Sequence, residues 1–404
     1  MRRVVGFVLF VTAVVVGVGA GMAPAHATGG AAIFPTTQIT AGGAHTCALI
    51  SDGTVTCWGN GGLGQLGTGN NNDSNIPVAV TGGALANKTV TQIDTGYAHT
   101  CALISDGTVT CWGLGAYGLL GTGDNNDSNV PVAVTGGALT NKTVTQIATG
   151  YAHTCALISD GTVTCWGNGI DGQLGTGNNN NSNTPVAVTG GALANKTVTQ
   201  IDTGYYHTCA LISDGTVTCW GWGAGGQLGT GNTNDSNIPV AVTGGALENK
   251  TVTKIAAGYI HTCALISDGT VTCWGNGGSG QLGTGNNNNS NVPVAIVWPV
   301  RAVNTVRPSI SGTARVGKRL TVNKGTWTGT PTPKFTRKWY ACTAKVARST
   351  QTIPGTCQLI AGATKATFKL TTAQKNKFIA VQVTGRSRGT TATSWLSKTS
   401  AKVR

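Results

Sequence analysis

The chain has 404 residues and a formal net charge of +14, with 40% hydrophobic and only 10% charged residues. That apolar content can build a core and excludes a disordered chain. Beyond the first 27 residues no run of 18 apolar residues occurs, which excludes a later spanning helix. Charge is divided sharply: residues 301–404 hold 20 Lys and Arg and no acid, whereas residues 28–300 hold 5 Lys and all 13 acids. Such asymmetry points to a basic segment that meets a polyanion.

Residues 1–27 read as a secretory signal peptide. Arg2 and Arg3 form a positive start, Val4 to Gly21 an apolar stretch, and Ala25-His26-Ala27 a small-residue cleavage site. The expected product is secreted, associated with the cell surface and free of a transmembrane segment after cleavage. An exported chain with twelve cysteines is expected to hold disulfides.

From His45 the stretch HTCALISDGTVTCWG recurs almost letter for letter at His99, His153, His207 and His261, a period of 54 residues. A fixed period of this size means one supersecondary unit repeated. Within it, two runs of strand formers flank Ser51-Asp52-Gly53, so each copy predicts a β-hairpin with glycine in the left-handed position of a three-residue loop. On that register Cys47 faces Cys57 across a non-hydrogen-bonded pair, close enough for a disulfide. The expected bonds are Cys47–Cys57, Cys101–Cys111, Cys155–Cys165, Cys209–Cys219 and Cys263–Cys273, with Cys342 and Cys357 as a sixth pair. The spacing does not suit a zinc site, so no metal is expected. A glycine-rich loop, an Asn-rich turn and a Pro-Val-Ala-Val strand follow each hairpin, and a further strand such as Val90-Thr91-Gln92-Ile93 precedes it. Four short strands per unit is the count of a propeller blade.

Three motifs in order, G-x-x-H-T-x-A-L, D-G-x-V-x-x-W-G and G-Q-L-G-T-G, resemble the regulator of chromosome condensation repeat. They occur in all five copies, with Leu119 in place of glutamine in the second. The resemblance implies an all-β protein with one repeat per blade, here a β-propeller of five repeat blades over residues 28–299. It also implies a structural role for the five repeat histidines. Best-known members close with seven blades, so five leave the ring either five-bladed, open or completed by another chain.

Other patterns carry less. Gly59-x-Gly61-x-x-Gly64 matches a dinucleotide fingerprint but lacks the strand and helix such a site needs, so no cofactor is expected. Asp94 and Asp202 occur in only two copies and are the residues a hydrolase reading would use. Within the near-invariant frame the glycine-rich loops vary, and Leu63, Leu114, Tyr117, Ile170, Asp171 and Trp222 are the expected partner-binding rim.

Residues 300–307 read as a linker. Residues 308–404 have a Thr-rich strand pattern that resembles the immunoglobulin-like repeats of bacterial surface proteins, through Gly325-Thr326-Trp327, Trp339, Cys342 and Cys357 among others. This predicts a basic C-terminal β-sandwich, with Trp327 and Trp339 in its core. Arg315, Lys318, Arg319, Lys334, Arg337, Lys338, Lys375 and Lys377 are the expected contacts to an anionic cell-wall or surface polymer. Specific nucleic-acid binding is not expected. The functional expectation is an exported, non-enzymatic binding or scaffold protein, with a protein or glycan partner at the propeller rim. An exported inhibitor resembling propeller inhibitors of β-lactamase, or an extracellular hydrolase, are the alternatives.

Overall fold

The computed structural model describes residues 35–404, so the expected signal peptide lies outside the described residues. The described residues divide into two compact units, the first ending at Ile296 and the second running from Val297 to Arg404. In the first, β1 (Thr36–Ala41), β2 (His45–Ile50), β3 (Val55–Gly59) and β4 (Ser74–Ala79) form an antiparallel sheet in chain order. Four further sheets, β5 to β20, repeat this pattern over residues 90–133, 144–187, 198–241 and 252–295.

The hairpin register is the one the sequence predicts. Leu49 pairs with Val55 and Cys47 with Cys57, and Gly53 closes the turn at φ 84°. All six expected disulfides are formed, the hairpin ones between Cα atoms 4.0–4.1 Å apart. Because side chains alternate faces, Cys47, Leu49, Val55 and Cys57 share one side of the blade. That side packs on Val90, Ile93, Ala102 and Trp112 of the next blade. The same junction recurs between blades two and three, three and four, and four and five.

Polar clasps reinforce each junction. The Gln38 side chain accepts from Ile93 N–H (3.0 Å) and donates to Ile93 C=O (2.9 Å), and Gln92, Gln146 and Gln200 repeat this one blade on. The fifth blade has Lys254 at this position, which cannot make the two-way amide clasp. No core cluster joins blade five to blade one among the described residues. Ile39 is accordingly 52% exposed, whereas its counterpart Ile93 is fully buried. Trp58, Cys263, Leu265 and Val271 are only half-buried. The five blades therefore form an open array.

In the second unit the expected linker is a strand. β21 (Val300–Val306) pairs with β24 (Thr326–Thr330), burying Ala302 and Asn304. Alternation in Val-Arg-Ala-Val-Asn-Thr-Val is the physical reason, and it places the unit's start near Val297 rather than Pro308. β22 (Ser309–Ser311), β23 (Arg319–Asn323) and β27 (Thr367–Lys369) form a second sheet. β25 (Lys334–Cys342), β26 (Cys357–Leu359), β28 (Phe378–Arg386) and β29 (Thr393–Leu396) form a third. Leu320, Trp339, Leu370, Ile379 and Val381 make the core between these last two sheets. Trp339 is fully buried as expected, while Trp327 is half-buried against Phe335.

Candidate functional site

The loop before each β2-type strand and the glycine-rich loop after each β3-type strand lie side by side. Main-chain bonds of 2.8–2.9 Å tie them, from Asn60 to Ala44 in blade one through Asn276 to Ile260 in blade five. Both loop sets therefore share one face of the array. The hairpin turns occupy the strands' other ends, where Lys88–Asp106, Lys142–Asp160, Lys196–Asp214 and Lys250–Asp268 form exposed ion pairs of 2.7–2.9 Å. Exposed pairs of this kind stabilise little.

The loop face is aromatic. Tyr97, Tyr151, Tyr205 and Tyr259, each just after a repeat glycine, stack in a row with centroids 4.5, 4.0 and 4.1 Å apart. Tyr206 adds an edge-on ring 4.1 Å from Tyr205. Burial among these neighbours raises the Tyr205 and Tyr206 hydroxyls above the usual tyrosine range. The ends of the row, Tyr97 and Tyr259, are 46% and 43% exposed. Rim variation alone does not reveal this row, because Tyr recurs in four copies and reads as frame. The usable signal is an aromatic at a fixed glycine-flanked position, with Gly43 as the first blade's exception.

The expected rim residues are all on this face, with unequal exposure. Ile170 and Tyr117 are 64% and 51% exposed, Leu63 is at 36%, and Leu114, Asp171 and Trp222 are half-buried. A buried glutamine explains their conformations. Gln65 accepts from Leu63 N–H and donates to Asn60 Oδ1 (2.6 Å), and Gln173 and Gln281 repeat both bonds. Blade two replaces the Asn–Gln pair with Leu114 and Leu119. The Tyr117 N–H loses that acceptor, and Tyr117 takes a left-handed backbone (φ 60°), a strained state for a bulky residue. Blade four replaces only the asparagine, with Trp222. Gln227 keeps its bond to Gly225 N–H, but its buried Nε2 has no partner. An orphaned buried donor costs about 1–3 kcal/mol. Trp222→Asn should therefore raise the unfolding midpoint, with a gain of about 1 kcal/mol. An unchanged or lowered midpoint in denaturant melts would refute the orphaned-amide account.

The inner strands line a cavity of about 610 Å³, with Gln38, Gln92, Gln146, Gln200, Asp94 and Asp202 on its wall. Both carboxylates are engaged by main-chain amides. Asp94 accepts from Thr95 and Thr149 N–H, and Asp202 from Thr203 and Ala257 N–H. Burial raises both pKa values, that of Asp202 to about 7 with help from Asp94. The histidines are structural. His45 Nε2 lies 2.8 Å from Thr100 Oγ1, whose proton goes to Gln65 C=O, so the ring donates. His153 and His207 stand in the same way to Thr208 and Thr262. Burial lowers His45 to about 4 and His99, His153 and His207 to about 3.

In the second unit the expected polyanion contacts split into two groups. Lys334, Thr336 and Lys338 alternate outward on β25, opposite Arg386, Thr384 and Gln382 of β28. Arg337 turns to the other face, is half-buried and leaves its Nε unpartnered. Arg315, Lys318, Arg319, Lys375 and Lys377 gather where loop 315–318, the turn at 372–377 and the last residues are hydrogen-bonded together. Arg386, Lys369 and Arg404 belong to these groups and are additional to the expected residues. Two cation pairs stand directly opposite across strands, Lys334 with Arg386 and Arg319 with Lys369. All four side chains are exposed. Like charges so placed are destabilising.

Repeated four-stranded blades with a cavity along their inner strands and an aromatic loop face define a propeller-type protein. The chain belongs to the RCC1-like domain family, whose profile matches residues 20–317. It is 36% identical over 259 residues to the ultraviolet-B receptor UVR8 of Arabidopsis thaliana, covering 64% of this chain and 57% of that one. It is 37% identical to the E3 ubiquitin-protein ligase HERC2 of Homo sapiens, covering 60% of this chain and 5% of that protein. The chain thus spans little more than half of the first relative and a small part of the second. Among solved structures, human WBSCR16 aligns with a TM-score of 0.59 at 27% identity, covering 67% of this chain and 69% of that one. Prp20p of Saccharomyces cerevisiae aligns at 0.56 and 22% identity, covering 71% of this chain and 69% of the other, a likeness of fold.

Proposed function

We propose that this protein is an exported, non-enzymatic binding protein. Its aromatic loop face takes a protein or glycan partner, and its basic second unit retains it on an anionic cell-wall or surface polymer. One observation carries the retention reading: the basic unit has 20 cations, no acid and two cation pairs placed opposite each other. Self-repulsion of that kind is relieved by a polyanion. The binding reading is supported by the family, which includes a yeast relative solved with Kap60 bound.

The outer row of β25 suits the task. Same-face residues on a strand lie roughly 6.8 Å apart, so Lys334, Thr336 and Lys338 present donors at regular intervals. Full-length protein should bind polyphosphate or polygalacturonate at low salt. Binding should weaken at least about a hundredfold between 50 and 200 mM salt, because ion release dominates such contacts. Lys334→Gln with Arg386→Gln should flatten that salt slope, and Arg337→Gln should leave it unchanged. Salt-independent binding would overturn the proposal.

A further inference from the structure

We infer that the loop face over blades three to five is a site for a lysine- or arginine-bearing segment of a partner protein, an inference that rests on the binding-protein reading above.

The first ground is where the repeat departs from itself. Blades one to three carry alanine before the histidine, whereas blade four has Tyr206 and blade five Ile260. Trp222 replaces the structural asparagine, and the main-chain bond made in every blade, here from Trp222 N–H to Tyr206 C=O at 2.8 Å, sets it beside Tyr206. A Cβ on neighbouring Gly225 would fall 2.6 Å from the Ile260 side chain. Asp171, from blade three, sits in a loop that packs on blade four, where a Cβ on adjoining Gly172 would fall 2.6 Å from Asn237 Cα. Blade two also departs, at Leu114, Tyr117 and Leu119, but within a single loop. Tyr206, Ile260, Trp222 and Asp171 come from three successive blades and converge on one sector, and Trp222 leaves Gln227, itself fully buried, with an unpartnered amide nitrogen. Local rules broken at a stability cost mark functional positions.

The second ground is charge. The glycine-rich loop of blade three carries Asp171, the Asn-rich turns that follow these loops carry Asp73, Asp124, Asp127 and Asp235, and neither these segments nor the tyrosine loops contain a lysine or arginine. The propeller lysines lie elsewhere: four in the ion pairs at the opposite strand ends, and Lys254 on the cavity wall. Asp171 is held above the usual carboxylate range by burial and by Asp235. Ring faces attract a cation, and an uncompensated half-buried carboxylate beside them completes its recognition. A neutral glycan would stack on the rings but would leave Asp171 uncompensated.

The test titrates full-length protein with a short Gly-Ser peptide carrying spaced lysines, and with its glutamine twin. The lysine peptide should bind, and the twin at least about tenfold more weakly. Trp222→Asn and Tyr206→Ala each install the residue other blades carry and leave net charge unchanged. Each should lower affinity at least about tenfold, with the melting temperature raised in Trp222→Asn and the cooperative unfolding transition retained in Tyr206→Ala. Asp171→Asn should do likewise. Equal binding of the two peptides would overturn the cationic ligand while leaving a partner-binding face intact. Unchanged affinity in both Trp222→Asn and Tyr206→Ala would overturn the site. Absence of lysine-peptide binding at millimolar concentration would overturn the inference outright.

Discussion

Removing the middle hairpin disulfide, by Cys155→Ala with Cys165→Ala, should destabilise the propeller by about 3 kcal/mol or more. The bond spans a sequence separation of 10, and closing such a loop in the unfolded chain is worth roughly 2–3 kcal/mol. Both sulfurs are fully buried in the junction with blade four, so lost packing adds to the loss. Cys263→Ala with Cys273→Ala should cost less, because Cys263 is only half-buried on the unpartnered side of the last blade. Denaturant melts of the two double variants check the order. Equal losses would show that loop closure alone matters, and a negligible loss at Cys155 would refute the whole account. With all the hairpin bonds reduced, the array should lose cooperative unfolding at ordinary temperature.

Acidification should also unfold the propeller, over a window set by four histidines. The buried rings of His45, His99, His153 and His207 stay neutral in the folded protein, whereas the unfolded chain protonates them near pH 6.5. Their contribution is complete above pH 6.5 and is lost as pH falls toward 3 to 4. A tenfold difference in proton affinity between the folded and unfolded chain corresponds to about 1.4 kcal/mol. Asp202 works in the opposite sense. Its folded value near 7 exceeds the unfolded 3.8, so stability from this group rises as pH falls between them. Four rings outweigh one or two carboxylates, and the midpoint should drop steeply from pH 6 to pH 4. Asp202→Ala, which installs the residue of blades three and five, should steepen that drop. His153→Gln should make it shallower. A flat profile between pH 7 and 4 would refute the assignment of neutral, donating histidines.

Much of the propeller was legible in the sequence because the repeat states each constraint five times. The hairpin register, the disulfides and the structural histidines depend on residues within one blade or its neighbour, so local pattern sufficed. The tyrosine row depends on how blades fan around the cavity, and no local pattern encodes that placement. Trp222 was visible as a variant loop residue, but its cost was not, since the orphaned Gln227 amide appears only once the Asn–Gln bonds of the other blades are seen. The strand at Val300–Val306 is signalled only by its alternation, which a short segment between two repeat types shares with an extended linker. In the basic unit the charge is plain from composition, whereas strand pairing was needed to set Lys334 opposite Arg386 and to turn Arg337 away.

The glutamine clasp has a consequence for how such a chain can grow or shrink. Each blade reaches forward to its successor only, through Gln38 to Ile93 and onward to Gln200 and Ile255. An internal segment of one period can therefore be duplicated or excised in frame, with every surviving junction still finding a matching partner. Length in this part of the protein is quantised, and Lys254 acts as the stop, since a blade with lysine at the clasp position of its first strand cannot clasp another copy of itself.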